Sequence, residues 1–462
     1  MPKQSQGAKS GSTTLSDLRA TTTERKAVGR AARDHAPRSG FADWDEQSRG
    51  HDPIATVLAQ SAGRMTDVVP LRHHLMARSP WNYYRGAAAV MAADLASRPH
   101  SGLEVQLCGD AHVLNFGLWA TPERHLNFDL RDFDETLLGP FEWDVARLAA
   151  SLIVAARESG VKHTRSTQAV RAAIDAYRRA MRRYADAREL DVWYDGMRVD
   201  RFVKYFERAD RGQAKVYIEK RKAEKTSRGA FPKLTAMVHG RPRITAQPPI
   251  RMTVSDDEQR YVVNVLLAGY RQTLQEDRCV LFDRFTEVDI VRQVVGVGSV
   301  GMVVYLVLFE GRSGEDPLFL QCKQAVPSVL EAHLRPAVFA NHGQRVIAGK
   351  RMVQSATDIF VGWGSLGDRD FYVRQYRDMK VIASTDLIAP RVVQFASACG
   401  STLARAHARS GDALALDAYM GAGSSFTEAM VAFSQRYADQ NDRDHAELAS
   451  AIERGEVPSA AD

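Results

Sequence analysis

The spacing of apolar residues predicts where helices and strands form along this chain. Trp81, Tyr84, Ala88 and Met91 recur at intervals of three or four residues, the spacing of one face of a helix. The pattern then shortens to a compact apolar run at 105–108, which predicts a strand, and a polar loop follows at once. We therefore expect a helix that leads into a strand and a polar loop.

Helical periodicity returns further along. A second short strand is predicted at 126–130, and a longer helix begins near residue 141. The apolar positions of that helix form one stripe, made of Val145, Leu148, Ala149, Leu152 and Ala156. We expect this helix to pack that face against a core.

On a longer scale the pattern divides the chain into four parts. Residues 1–40 are rich in Ser, Thr, Gly and basic residues without apolar periodicity, which predicts a loose tail. Residues 41–280 are predicted to be mainly helical, with an interruption in the basic, Pro-containing stretch 215–249. Residues 281–385 carry β-branched and aromatic runs punctuated by glycine, and residues 386–462 return to helix. The sequence thus predicts an α+β protein whose β-rich part lies between helical parts.

Composition places the chain among ordinary globular proteins. Its 462 residues are 45% apolar and 26% charged, which is neither a disordered nor a membrane composition. No apolar run approaches the roughly 18 to 20 residues that a membrane span needs, and residues 1–40 lack the apolar stretch of a secretory signal. We expect a cytoplasmic protein without a membrane partner.

Charge and cysteine content indicate which kinds of ligand the protein is suited to bind. Lys and Arg number 62 against 56 Asp and Glu, and this excess of 62 − 56 = 6 suits an anionic ligand such as a nucleotide. So small an excess is common, and we do not expect a nucleic-acid partner. The cysteines are far apart with no C-x-x-C pair, which predicts buried free thiols rather than a zinc or redox site: Cys108, Cys279, Cys322 and Cys399.

The polar loop after the first strand carries candidate catalytic residues. Asp110 and Asn115 lie five positions apart in the letters GDAHVLNF. This is the spacing of a kinase catalytic loop, in which Asp accepts the proton of the substrate hydroxyl and Asn holds a magnesium ion. Taken alone, the segment could also be a simple turn.

A second acidic segment supplies the carboxylate that such a site needs. Asp132 stands in the letters LRDFDE, seventeen residues after Asn115 and directly behind a predicted strand. Phosphoryl transfer spreads negative charge over the γ-phosphate oxygens, so a carboxylate and an amide ligand must bring Mg²⁺ to it. Alone this segment could be a solvated acidic loop. The two segments together, in this order, favour a phosphotransfer site.

The combined motif resembles the aminoglycoside and choline kinase pattern, in which GD-H-N is followed by D-F-D or D-W-D and then by GP. The resemblance implies that Asp110 is the catalytic base and that Asn115 and Asp132 are metal ligands. It also implies that Asp144 braces the catalytic loop from a helix and that His112 shapes the loop.

Further segments of the sequence resemble a bacterial family of unknown function with a kinase-like core. The segments that carry this resemblance are YRGAA, QLCGDAH, NFG and DFDET, and the likeness covers most of residues 40–440. Arg131 departs from the pattern, since Asn is expected there in that family. This departure concerns the outer shell of the metal site.

A glycine-rich segment provides the candidate phosphate-binding loop. Gly296, Gly298, Ser299 and Gly301 fit G-x-G-x-x-G, a signal shared by dinucleotide-binding folds and kinases. A dinucleotide-binding loop must open a helix, whereas here the next residues, 302–309, are β-branched and aromatic and end at a turn. A hairpin is therefore predicted, whose tip lets backbone amides approach phosphate.

The next strand carries the lysine expected to pair with the phosphates. Lys323 ends the strand predicted at 317–323, one strand after the glycine-rich loop, where kinases hold such a lysine. Its acidic partner stays open. Glu331 follows, but Ser328-x-x-Glu331 is also a capping box, and Gln324 stands where related sequences carry Glu.

The remaining elements complete a two-lobed protein-kinase-like fold in swapped order. The alternating segment 371–380 is typical of the hinge strand whose backbone contacts adenine, which makes Gln375 and Tyr376 candidate nucleotide-binding residues. The helix around 403–408 is similar to the one that runs into the catalytic loop in aminoglycoside-kinase relatives. Here it comes last, so we expect a circular permutation with the old ends joined through 160–285.

The motifs predict an ATP- and Mg²⁺-dependent phosphotransferase that acts on an unknown hydroxyl-bearing small molecule or protein. Two alternatives remain: AMP transfer to protein with the nucleotide inverted, which would use the same acids, and a nucleotide-binding regulator without turnover. A regulator would be expected to have lost catalytic residues, and all of them are present. A dinucleotide oxidoreductase is disfavoured by the hairpin after Gly301.

Overall fold

A computed structural model describes residues 20–45, 49–294, 296, 298, 300–381 and 388–460. The described α-helices, in chain order, are α1 Thr22–His35, α2 Pro53–Ser61, α3 Val69–Ala77, α4 Pro80–Gly86, α5 Ala88–Ala96, α6 Phe141–Glu158, α7 His163–Ala185, α8 Glu189–Tyr194, α9 Val199–Val203, α10 Arg211–Glu224, α11 Ser227–Leu234, α12 Asp256–Tyr261, α13 Ala268–Arg271, α14 Glu276–Phe282, α15 His342–Val353, α16 Val392–Ala408, α17 Ala413–Met420 and α18 Ser425–Glu453. A π-helical stretch, Val262–Leu267, joins α12 to α13, and short 3-10 turns occupy Arg38–Ala42, Val113–Asn115, Val329–Ala332 and Ala389–Arg391.

The strands form one larger and three smaller sheets, with antiparallel pairing throughout the described residues. They are β1 Glu104–Leu107, β2 Phe116–Ala120, β3 Leu126–Leu130, β4 Leu137–Pro140, β5 Met197–Arg198, β6 Thr235–Val238, β7 Arg241–Ile244, β8 Arg251–Thr253, β9 Thr286–Gln293, β10 Val304–Glu310, β11 Pro317–Ala325, β12 Gly362–Leu366 and β13 Arg369–Gln375. The larger sheet has the order β12-β13-β11-β10-β9-β8, and the smaller sheets are β1-β4, β2-β3-β5 and β6-β7. The chain is therefore an α+β protein with open sheets.

The first described element corrects the expectation of a loose tail at 1–40. Thr21 and Glu24 form a capping box, in which each side chain accepts the other residue's backbone N–H, and α1 begins there. Gly29 of α1 then packs so closely on the backbone of Ala415 in α17 that a Cβ would not fit. Capping and docking together stabilise a helix that lacks a long apolar stripe. Residues 1–19 lie outside the described part.

Helix α6 is buried on every side for most of its length, although its apolar stripe predicts burial of one face only. Its polar side chains tolerate burial because they bind backbone groups of the neighbouring segment 101–113. Glu142, Asp144 and Ser151 each accept a backbone N–H from that segment, at distances of 2.8–2.9 Å. The helix therefore fixes the position of the loop that carries the first motif.

Both faces of the six-stranded sheet are buried. In β10, Tyr305, Val307 and Phe309 belong to one apolar cluster, with α14 and the π-helical stretch, whereas Leu306 and Leu308 belong to another, with α11 and β7. A strand covered on both faces has no polar side to expose, which explains its continuous apolar run.

The sheet extends further toward the N-terminus than its apolar pattern predicts. The edge strand β8 and the β6-β7 ribbon lie within the region expected to be mainly helical. The basic stretch 215–249 interrupts the helices only in its second half, because α10 and α11 occupy most of 215–234. Pro242 pairs in the two-stranded ribbon of that second half, where the missing N–H of proline is tolerated.

None of the described helices is long and apolar enough to cross a membrane. All the cysteines are free; Cys279 is half-buried, and the other three are buried as expected.

Candidate functional site

The β2-β3 hairpin brings the two acidic motifs together. Asn115 immediately precedes β2, and Asp132 lies two residues beyond the end of β3. Phe116 is paired with Leu130, and the N–H of Arg131 donates to the carbonyl of Asn115 at 3.0 Å. Residues seventeen positions apart in the sequence are thereby held as neighbours across a hairpin end.

Buried oxygen atoms at this hairpin end have no hydrogen-bond donor. Asn115 Oδ1, Asp132 Oδ1 and Asp134 Oδ1 are all enclosed and unpartnered. The amide of Asn115 is fixed because its Nδ2 donates to the carbonyl of Asp110. Buried acceptors without partners are costly, and carboxylate and amide oxygens are what a hard cation such as Mg²⁺ prefers.

These oxygens fit a magnesium ion that completes its shell with phosphate and water. The described residues contain no cluster of three or more His, Cys, Asp or Glu side chains suited to a metal ion. Mg²⁺ differs from most protein-bound metals in needing only one or two carboxylates when a substrate phosphate supplies the rest. An Asn–Asp pair is sufficient for that role.

The carboxylate of Asp110 is hydrogen-bonded to Arg147 and remains partly exposed. Arg147 Nε donates to Asp110 Oδ1 at 2.8 Å, and the side chain of Asp110 keeps 21% of its surface exposed. Arg147 is itself fixed: it donates to the carbonyl of Tyr84 at 2.7 Å and stacks 3.9 Å from the centre of that ring. The side chain of Asp110 is thus anchored by Arg147 and partly exposed.

His112 shapes the loop as a neutral side chain. Burial lowers the pKa of His112 to about 3, since the nearby charge of Asp110 does not offset the loss of water. Its Nε2 lies 3.7 Å from Asp110 Oδ2, and its ring packs edge-on against Trp81. The imidazole of His112 is therefore neutral at pH 7.

Asp144 braces the start of the loop. Its carboxylate accepts the N–H of Cys108 at 2.8 Å and the N–H of Gly109 at 3.1 Å. His407 of α16 lies 3.3 Å from the same carboxylate. Asp144 is thus a positioning residue that ties α6, α16 and the catalytic loop together.

Gly109 allows the two motifs to touch. Its φ is +84°, and a Cβ at this position would collide with the carbonyl group of Glu135 in the D-F-D-E segment. Glycine is required here for its left-handed backbone and for its lack of a side chain.

Replacing Gly109 should separate these two requirements from each other. Gly109→Ala should lower the free energy of unfolding by more than Gly102→Ala, because Gly102 has a similar φ of +72° but open space around it. The control should lose about 1–2 kcal/mol to backbone strain, and Gly109→Ala about 1–3 kcal/mol more to the collision. Urea unfolding measures both free energies. Equal losses would show that the close packing of Gly109 on Glu135 does not add to the cost of the substitution.

Lys323 finds its partner in the second aspartate of D-F-D. The buried ammonium of Lys323 pairs with Asp134 Oδ2. Glu331 instead completes a capping box with Ser328 and lies 3.6 Å from Arg345. Helix α15, which follows β11, contains no Asp or Glu. The carboxylate that pairs with Lys323 comes instead from Asp134, in the loop that follows β3.

The pKa values of the two aspartates shift in opposite directions. Burial raises the pKa of Asp132, but the charges of Lys323, Arg374 and Arg131 outweigh burial and hold it well below its usual value. Burial and the neighbouring Asp132 raise the pKa of Asp134. Asp132 is therefore the more readily ionised of the two carboxylates.

The glycine-rich loop lies against the helices that precede the catalytic loop. Gly301 accepts the N–H of Met65 at 2.9 Å, and a Cβ on Gly298 would sit 3.4 Å from the carbonyl of Arg85. Arg85 is close enough to Asp110 and Asp132 for their charges to act on its pKa, which burial lowers. Gly296 is described as well, with φ +50°. Ser299 lies outside the described residues.

The candidate hinge residues stand at the end of β13. Gln375 is the last residue paired with β11, opposite Leu320. The N–H of Tyr376 donates to the carbonyl of Phe319 at 2.9 Å, so it already has a partner. The Tyr376 hydroxyl accepts from Gln293 Nε2 at 3.1 Å.

Sequence reasoning missed several residues that fix the site. Arg147 lies three positions after Asp144 on α6, and this helical spacing was the available signal. Asp134 was visible only as part of a motif. Arg345 of α15 donates to the carbonyls of Asp134 and Thr136 and so pins the acidic loop, which no local pattern indicated.

The chain matches one family model. The family described as an uncharacterized protein conserved in bacteria (DUF2252) matches residues 64–451. Because the match spans most of the chain, the chain belongs to this family. No curated protein and no solved structure matches it.

Proposed function

We propose that this protein is an ATP- and Mg²⁺-dependent phosphotransferase with a two-lobed, circularly permuted protein-kinase-like fold. The observation that carries the proposal is the set of buried, unpartnered oxygens of Asn115, Asp132 and Asp134 beside the ammonium of Lys323. This arrangement offers ligands for a cation beside a counter-charge for phosphate, with the partly exposed carboxylate of Asp110 nearby.

The order of elements in the six-stranded sheet supports the kinase-like part of the proposal. A glycine-rich loop joins β9 to β10, Lys323 lies on β11, and helix α15 and strands β12 and β13 follow. Protein kinases likewise place a lysine on the third strand, after a glycine-rich loop that covers the phosphates.

The contact between α16 and β1 supports the permutation. Ser410, just after α16, accepts the backbone N–H of Gln106 in β1 at 2.9 Å. Gly411 packs against Val105 and the carbonyl of Glu104. A helix that ran directly into the catalytic loop in an unpermuted chain would end at this place.

The roles of the residues follow from their positions. Asp110 would accept the proton of the acceptor hydroxyl, and Asn115 and Asp132 would hold Mg²⁺. Lys323 would leave Asp134 for the phosphates and stabilise their negative charge. When bound, Mg²⁺ would neutralise charge on the phosphate oxygens. The acceptor is a hydroxyl-bearing small molecule or protein.

Mg-ATP should stabilise the folded protein. A ligand that binds only the native state at a hundredfold excess over its Kd adds about 2.7 kcal/mol to the free energy of unfolding. The melting midpoint should therefore rise by several degrees with Mg-ATP, and by less with ATP in the presence of EDTA. If neither ATP, ADP nor GTP moves the midpoint in the presence of Mg²⁺, the proposal is wrong.

Turnover should be tested with ATP labelled at either end. Transfer to a metabolite or protein pool of label from the γ-phosphate, but not from the α-phosphate, is the expected result. Transfer of label only from the α-phosphate would show that the protein transfers AMP and not a phosphoryl group.

A further inference from the structure

A small cavity beside the end of β13 is lined by cationic side chains. Arg131, Lys350, Arg374 and Lys380 reach it from three different parts of the chain. The space open to the centre of a water-sized sphere is about 40 Å³. Since one water needs roughly 10–15 Å³ by this measure, the cavity has room for a group of a few heavy atoms.

The four cations that line this cavity outnumber its two carboxylates, and the charge of the nearby Asp132 also acts on Arg131 and Arg374. Lys350 lies 3.6 Å from Asp358, and Arg374 donates only to the neutral amide oxygen of Gln321 at 3.0 and 3.2 Å. Arg131 and Lys380 make no ion pair with any residue in the described part of the chain.

The carboxylate nearest to Lys380 in sequence does not compensate for it. Asp378 also lines the cavity, but it is bound to Arg124 at 2.6 Å. The ammonium of Lys380 instead faces the rings of Trp119 and Tyr376, at 5.9 and 5.5 Å from their centres. Lys380 is partly buried, and a cation that loses water contact without gaining a counter-charge destabilises the folded chain.

The protonation of Lys380 is consistent with a missing anion. Burial lowers the pKa of Lys380 well below its usual value, and the charges of Arg374 and Arg131 lower it further. A bound anion would reverse this effect because it favours the charged ammonium.

We propose that the cavity binds an oxyanion of the phosphate type, held by Lys380, Arg374, Arg131 and Lys350. The inference rests on the proposed function in one respect: Arg131 lines the cavity and directly precedes Asp132, so the cavity adjoins the proposed metal site. Guanidinium groups suit this ligand because their fork of N–H donors matches two phosphate oxygens.

The oxyanion can come from two sources. It can be a phosphate of the nucleotide itself, bound in the inverted orientation with its phosphate end toward β13. It can also be a separate phosphate, free or carried by a second small molecule. Both supply the same chemistry, and they differ in whether the anion and Mg-ATP compete.

The first experiment uses the whole chain without nucleotide or Mg²⁺. Inorganic phosphate and sulfate should raise the melting midpoint by several degrees above sodium chloride of equal ionic strength. Lys380→Met should melt higher than wild type in chloride, because it removes an uncompensated charge, and should lose most of the phosphate response. Lys220→Met, a control that changes an exposed lysine of α10, should retain the wild-type response.

The decisive result is a Lys380→Met protein that melts higher than wild type in chloride and yet loses most of the phosphate response. An equal response to phosphate in wild type and Lys380→Met, or no response beyond chloride in wild type, overturns the proposal. Should Lys380→Met fail to fold, Lys380→Arg keeps the charge and must keep the phosphate response. Loss of that response in a folded Lys380→Arg would also overturn it.

A second measurement identifies the source of the anion. If saturating Mg-ATP abolishes the phosphate response, the cavity is filled by the nucleotide's own phosphate; if the two responses add, the anion is separate. Asp132→Ala must keep the phosphate response. A protein that responds to phosphate but to no Mg-nucleotide would refute the proposed function and leave the oxyanion site intact.

Discussion

Asp132→Ala should abolish transfer and, with it, the Mg²⁺-dependent part of nucleotide binding. Asp132 carries one of the buried oxygens without a donor, and the surrounding cations keep it ionised. Loss of even an outer partner of a metal ligand typically costs 10- to 100-fold in metal affinity, so loss of the ligand itself should cost at least about 100-fold. Calorimetric titration of Mg-ATP together with transfer of label from the γ-phosphate measures both effects.

The matched variants distinguish lost coordination from lost folding. Asp132→Asn keeps the shape of the side chain and should show the same loss of Mg²⁺ dependence. Asp257→Ala removes a carboxylate that is 90% exposed and should change neither binding nor transfer. Unchanged Mg-ATP affinity in Asp132→Ala would remove Asp132 from the metal site.

Asp110 should behave differently although it is also acidic. Asp110→Asn should keep nucleotide-induced stabilisation and lose transfer by about 10²- to 10⁴-fold, the usual contribution of a positioned general base. The amide oxygen can still accept the hydrogen bond from Arg147, so the loop should hold its shape. Transfer rates and melting shifts are measured on the same preparation.

The choice of substituent matters at this position. Asp110→Ala would leave the buried guanidinium of Arg147 without its counter-charge, and loss of folding stability could then be mistaken for loss of catalysis. Comparison of the alanine and asparagine variants separates the two effects. Full activity in a folded Asp110→Asn would eliminate Asp110 as the base.

The parts of the site that could be predicted from the sequence are those held together locally. Asn115 and Asp132 stand at the ends of two strands joined by a short turn, so their proximity follows from the hairpin itself. Asp144 could be placed on a helix by its apolar stripe. The lysine strand after the glycine-rich loop was likewise predicted from strand periodicity alone.

The parts that could not be predicted depend on contacts between distant segments. Lys323 and Asp134 are separated by 189 positions, and the sequence left the partner of Lys323 open, with Glu331 as a candidate that could equally belong to a capping box. The cationic cavity joins residues from 131 to 380, each of which looks like an ordinary surface charge in isolation. Folding of residues 22–35 as a helix depends partly on docking against α17.

The most direct test of the central claim is the Mg²⁺ dependence of ATP binding, measured by calorimetry in wild type, Asp110→Asn and Asp132→Ala. The account predicts that ATP binds wild type and Asp110→Asn more tightly with Mg²⁺ than with EDTA, and that this difference disappears in Asp132→Ala. Binding that is absent from wild type, or that depends on Mg²⁺ equally in all three proteins, would contradict it.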